Sequence, residues 1–194
     1  APYAPRIVTE IDEDGEEVVV DTFPLAGRAE IWVNEGGGYC RAEILQPDTL
    51  LGNDFFGSAV AVAGDLIAVG APYQETATGE TDSGMVYVYQ RTSTVTFELI
   101  ETFEGSAAGD RFGSSLALSV LPDLTNQALL IGTPWSGNET GSVAPYAFFR
   151  SGDDFVSSAG SVVNGTFSGG RFGAAMAIYD EKAVIGAPLA RGTL

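Results

Sequence analysis

The chain holds no histidine, one cysteine (Cys40) and one lysine (Lys182), so any chemistry must come from carboxylates, hydroxyls and aromatic rings. The acid pairs Asp153-Asp154 and Asp180-Glu181 contain the groups that glycoside hydrolysis uses, but each pair falls in a turn-forming stretch, where carboxylates are simply solvated. The acidic run at residues 12–17 resembles half of a calcium loop. It lacks the alternate-position ligands and the distal bidentate glutamate, and reads as the solvated tip of a hairpin. No Gly-x-Ser-x-Gly elbow, Cys/His pair or phosphate loop occurs, and the chain is not expected to be an enzyme. Binding is better served. Trp135 follows a Gly-x-Pro step in a loop and is the leading anchor for a partner, with packing at a sheet edge as the alternative; Tyr73 occupies the matching position after Pro72. Trp32, Tyr73 and Trp135 could also stack on a sugar ring. Asn138 and Asn164 each open an Asn-x-Thr acceptor sequence for glycosylation.

Charge narrows the partners. Twenty-six acidic against nine basic residues give a net charge of -17, which argues against nucleic acid and against an anionic membrane surface. It suits a solvated acidic surface, cations or basic partners. No apolar run reaches the 18 residues that a transmembrane segment needs. The lone Cys40 cannot form an internal disulfide and is expected to be half-buried in a strand. The Ala-Pro-Tyr-Ala-Pro start reads as a trimmed end without an apolar targeting stretch. With the two acceptor sequences and the scarcity of lysine, it suggests a secreted chain.

The elements that must position these residues repeat. DFFGSA at 54–59, DRFGSS at 110–115 and GRFGAA at 170–175 each open an apolar run, and each run closes on a Gly-x-Pro step at 70–72, 132–134 and 186–188. Phe56 to Phe112 is 56 residues, Phe112 to Phe172 is 60, Gly70 to Gly132 is 62 and Gly132 to Gly186 is 54. Segments of four to seven β-branched and aromatic residues, bounded by Gly, Pro or Asp, predict strands throughout and no helix. A period near 58 with four short strands predicts one propeller blade per repeat. Pro145 falls inside a predicted third strand and should force a bulge or poor pairing on the proline side. A fourth strand is predicted over residues 155–163. Residues 1–25 stand apart as an acidic hairpin extension.

Phe56-Gly57 with Gly70-Ala71-Pro72, and the two later copies, resemble the FG-GAP repeat, the blade unit of integrin α-subunit headpieces and of many secreted microbial and algal proteins. Gly84 followed by MVYVY at 85–89 is similar to that family's third strand, and GDRFG at 109–113 to its entry. The resemblance covers residues 27–194. It implies an all-β fold of FG-GAP propeller blades with four antiparallel strands: a half blade at 27–50, blades at 51–105 and 106–167, and a half blade at 168–194. Phenylalanine would plug the space between blades, glycine would permit the tight turn, and proline would end the second strand. Calcium-binding members carry an Asp-x-Asp/Asn-x-Asp-Gly run that is not matched here, so no cofactor is expected; Glu80 and Asp82 are the remaining candidate metal ligands. The unmatched half blades imply either a piece of a longer chain or pairing between copies. The resemblance implies an extracellular, non-enzymatic structural or protein-binding module for adhesion, a surface coat or a filament. A carbohydrate-binding propeller is the first alternative, and an accessory region of a larger secreted hydrolase the second.

Overall fold

The computed structural model describes residues 4–11, 17–34, 36–123 and 125–191. The chain opens with a hairpin of β1 (Arg6–Ile11) and β2 (Glu17–Phe23). Its expected turn and most of the acidic run, residues 12–16, lie outside the described residues. A two-stranded sheet follows, β3 (Ala29–Asn34) with β4 (Tyr39–Leu45). The first four-stranded sheet is β5 (Ala59–Ala63), β6 (Leu66–Ala71), β7 (Met85–Arg91) and β8 (Phe97–Glu104), antiparallel and in sequence order. The second is β9 (Ser115–Val120), β10 (Gln127–Thr133), β11 (Ser142–Ser151) and β12 (Asp154–Ala159), joined by the short β13 (Val163–Asn164). The last sheet pairs β14 (Ala175–Tyr179) with β15 (Lys182–Gly186). These are two complete blades between two half blades, a partial propeller as the repeat implies. The one helical turn among the described residues, α1 (Ser136–Glu139), contains left-handed Gly137 and Asn138 and is a compact loop rather than a true helix.

Alternation along the middle strands explains their continuous apolar sequence. In β6, Leu66 and Ala68 pack toward the second blade, whereas Val69 and Ala71 pack toward the preceding half blade. In β7, Val86 and Val88 face one way and Tyr87 and Tyr89 the other. Successive side chains of a strand point to opposite faces, so a strand with a neighbouring sheet on each side needs apolar residues at every position. Among the described residues three apolar clusters result, one in each seam between consecutive blade or half-blade units.

Pro145 acts on one side only. It stays in register with Leu130 on β10, but the fourth strand breaks opposite it: β12 ends at Ala159, and pairing resumes at Val163 against Val143. The Pro145 carbonyl still accepts the Gly160 amide at 2.8 Å, but proline has no N–H to return a bond. The fourth strand expected over 155–163 is therefore split in two. Cys40 also departs from expectation. It is exposed: it lies opposite Val33 near the overhanging end of the β3–β4 hairpin, where no further sheet among the described residues covers it.

Candidate binding site

The repeated Phe-Gly motif builds the seams. Each motif phenylalanine donates its amide to a loop carbonyl of the preceding unit: Phe56 to Ala26 at 2.8 Å, Phe112 to Ser83 at 2.8 Å and Phe172 to Thr140 at 3.0 Å. Each motif glycine donates to the Gly-x-Pro glycine of its own unit, as Gly113 does to Gly132 at 3.1 Å. Across the seam, a Cβ added at Gly70 would stand 2.2 Å from the Gly113 carbonyl oxygen, and one at Gly132 would stand 2.3 Å from that of Gly173. Both glycines, which lie within strands, are therefore required by backbone approaching backbone.

The residue just before each motif phenylalanine is Phe55, Arg111 or Arg171, with φ of 55°, 55° and 56°. The tight entry turns these three side chains toward one end of the seams, where the residues after the Gly-x-Pro steps also lie. The result is a ladder. The Phe55 and Tyr73 rings are 5.0 Å apart; the Arg111 guanidinium carbon lies 4.5 Å from the Tyr73 ring centre and 4.8 Å from that of Trp135; Arg171 lies 5.2 Å from Trp135. Stacking a guanidinium on aromatic faces is favourable and holds its plane fixed. Arg171 is also anchored by Glu139, whose Oε2 accepts from Nε at 3.0 Å and from the terminal nitrogen at 2.9 Å.

Tyr73 and Trp135, the sequence-derived binding candidates, are thus brought together, but as the two walls around Arg111. Trp135 is partly buried, with Arg111 and Arg171 against it, and is not a free surface anchor. Beside this ladder is a cleft of about 400 Å³ that includes Phe55, Ser58, Tyr73, Arg111, Ser114 and Trp135. Arg111 and Arg171 were missed in the sequence because the motif was read through its phenylalanine and glycine. The signal was the varying residue in DFFG, DRFG and GRFG.

Glu80 is exposed and Asp82 partly buried, and among the described residues no three acidic or cysteine side chains gather as a metal site. Asn138 and Asn164 are both exposed, the first in the left-handed turn and the second in β13. Trp32 lies elsewhere, on the wall of a larger apolar cleft. Asp54 is the most perturbed carboxylate. Only 5% exposed, it is pushed up to about 6 by burial, with Glu75 and Asp82 adding repulsion and the Leu51 amide, 2.7 Å from Oδ2, opposing the shift. At the other end of the seam, Asp65 accepts from Arg91 of its own blade at 2.5 Å and from Arg150 of the next at 2.9 Å. The Arg91 hydrogen bond leads in holding its carboxyl below the usual range.

These sheets and seams define a repeat protein of propeller blades. Residues 42–89, from within β4 to within β7, match the family model of the FG-GAP repeat, and the chain carries that repeat. No curated protein matches the chain. FG-GAP repeats occur in adhesion and binding modules. Among the described residues, no helix is long and apolar enough to cross a membrane.

Proposed function

We propose that the chain is a non-enzymatic, extracellular structural and protein-binding module, of the kind used in adhesion, a surface coat or a filament, and that it docks through its incomplete blades. The observation that carries this reading is the apolar cleft of about 630 Å³ between β3–β4 and β5–β6. Val60 is 61% exposed, Val62 70% and Trp32 52%, all at or beside its walls. In a complete blade, two inner strands would cover Val60 and Val62. The edge of β3 on that side pairs with no strand among the described residues, and an unpaired edge beside an apolar face is a site for strand addition. The β14–β15 pair is a two-stranded unit of the matching kind, so the partner proposed for the cleft is such a unit, supplied by a second copy or by the rest of a longer chain.

Light scattering across a concentration series tests this. The chain should exceed its monomer mass of 20.2 kDa as concentration rises, and Val62→Asp should return it to the monomer. A mass of 20.2 kDa at every concentration would sink self-docking. The extracellular part of the reading is supported by the exposed Asn138 and Asn164, and mass loss on amidase treatment of the natural protein is its measurement. Unmodified asparagines at both positions would remove that support.

A further inference from the structure

Two positions in consecutive loops are equivalent by backbone. The Asp82 carbonyl accepts the Arg111 amide at 3.1 Å, and the Glu139 carbonyl accepts the Arg171 amide at 2.9 Å. Both residues are left-handed, with φ of 53° and 61°. Glutamate at 139 reaches the arginine across the seam. Aspartate at 82 is one methylene shorter, and no ion pair within 4.0 Å forms between it and Arg111. Among the described residues Arg111 has no carboxylate partner, although the chain has 26 acidic residues for nine basic ones, so the vacancy does not arise from shortage. The Arg111 Nε is buried and has no acceptor, a costly state for a charged donor.

We propose that the cleft over Arg111 binds a small carboxylate, either an acidic monosaccharide or a short organic acid. The Arg111 guanidinium carbon lies over both the Tyr73 and the Trp135 rings, which restrain the group at the cleft, and a guanidinium is the donor whose fork a carboxylate matches. The hydroxyls of Ser58 and Ser114 lie in the same cleft. Each donates to a backbone carbonyl, Ser58 to Phe55 and Ser114 to Arg111, and each retains its lone pairs for a ligand hydroxyl. The side chain of Phe55 gives an apolar wall, and about 400 Å³ suits a ligand of one ring. The ligand supplies Arg111 with the carboxylate that Glu139 supplies to Arg171 one seam further on. This site is separate from the apolar cleft proposed for docking and does not depend on it.

The test uses the whole chain with Trp32→Phe, so that indole fluorescence reports Trp135. Galacturonate, galactose and succinate are titrated at about 0.15 M salt, where the Debye length is about 8 Å and the net negative charge is screened. Galacturonate should give a saturable change and galactose none. Arg111→Gln should weaken binding at least about tenfold, the size expected for losing a charged hydrogen-bonded pair. Asp82→Glu should do the same while the urea midpoint stays unchanged or rises, because the longer acid supplies the missing partner. Succinate binding as tightly as galacturonate assigns the site to organic acids; failure of succinate assigns it to sugar acids. A response that does not saturate, equal binding of galactose, or undiminished binding in Asp82→Glu would overturn the proposal.

Discussion

The seam between the two complete blades and the seam between the second blade and the last half blade share a main-chain hydrogen-bond pattern, and at one equivalent position their acidic residues differ by one methylene. In both, an arginine with positive φ leaves the Phe-Gly entry and stacks on Trp135. In the later seam Glu139 neutralises Arg171; in the earlier one Asp82 falls short of Arg111. The difference teaches that this repeat separates two jobs. Main-chain hydrogen bonds and glycine contacts set the blades in place, and the side chains above them are then free to be spent on stability in one seam or left open in another.

The strongest way to break the comparison is to attack the shared part. Phe112 is nearly buried and Phe172 only half-buried, so Phe112→Ala should lose about 4 kcal/mol in urea unfolding and Phe172→Ala distinctly less. Gly70→Ala and Gly132→Ala should each cost about 3 kcal/mol, because in both the new Cβ meets a backbone carbonyl that cannot move alone. Unequal losses for the two glycines would mean that the seams are not equivalent after all.

Subtler changes sharpen it. Asp54 has a folded pKa raised above its unfolded value, so its contribution favours the fold below about pH 4 and is lost as pH rises through about 6. Asp54→Asn keeps an oxygen for the Leu51 amide and cannot ionise. Its melting temperature relative to the parent should therefore rise between pH 4 and pH 7, and a flat difference would refute the burial of a carboxylate there. The third repeat carries Gly170 at this place and has no such group. Smallest is Glu139→Gln, which should cost about 0.5 kcal/mol as a partly exposed pair. The informative partner is Glu139→Asp: shortened to match Asp82, it should give the later seam its own fluorescence response to galacturonate.

Most of the framework was legible because the constraints are local and repeated. Gly-x-Pro steps stop strands, doubly buried strands read as continuous apolar runs, and the period counts blades. Pro145 announced its effect through its missing N–H. The exposure of Cys40 was not legible, since a strand residue is covered or open according to which sheets lie beside it, and only the assembled seams decide that. The site was half legible. Tyr73 and Trp135 stood out by type, but their role depends on Arg111, 38 residues from one and 24 from the other in sequence, and on a side-chain length difference that matters only once the loops are superposed in space.

The main-chain character of the seams has an evolutionary corollary. An amide given to a loop carbonyl, and two glycines facing each other, make few demands on what else a blade contains. A blade that keeps the Phe-Gly and Gly-x-Pro pair, with apolar faces on its middle strands, meets the main-chain requirements of the seam, so a duplicated unit brings with it the contacts that its neighbour needs. The differing lengths and loops of the repeats in this chain are what such interchangeable parts would accumulate, and a carboxylate shortened by one carbon is the kind of small edit by which one copy could acquire a use that its neighbour lacks.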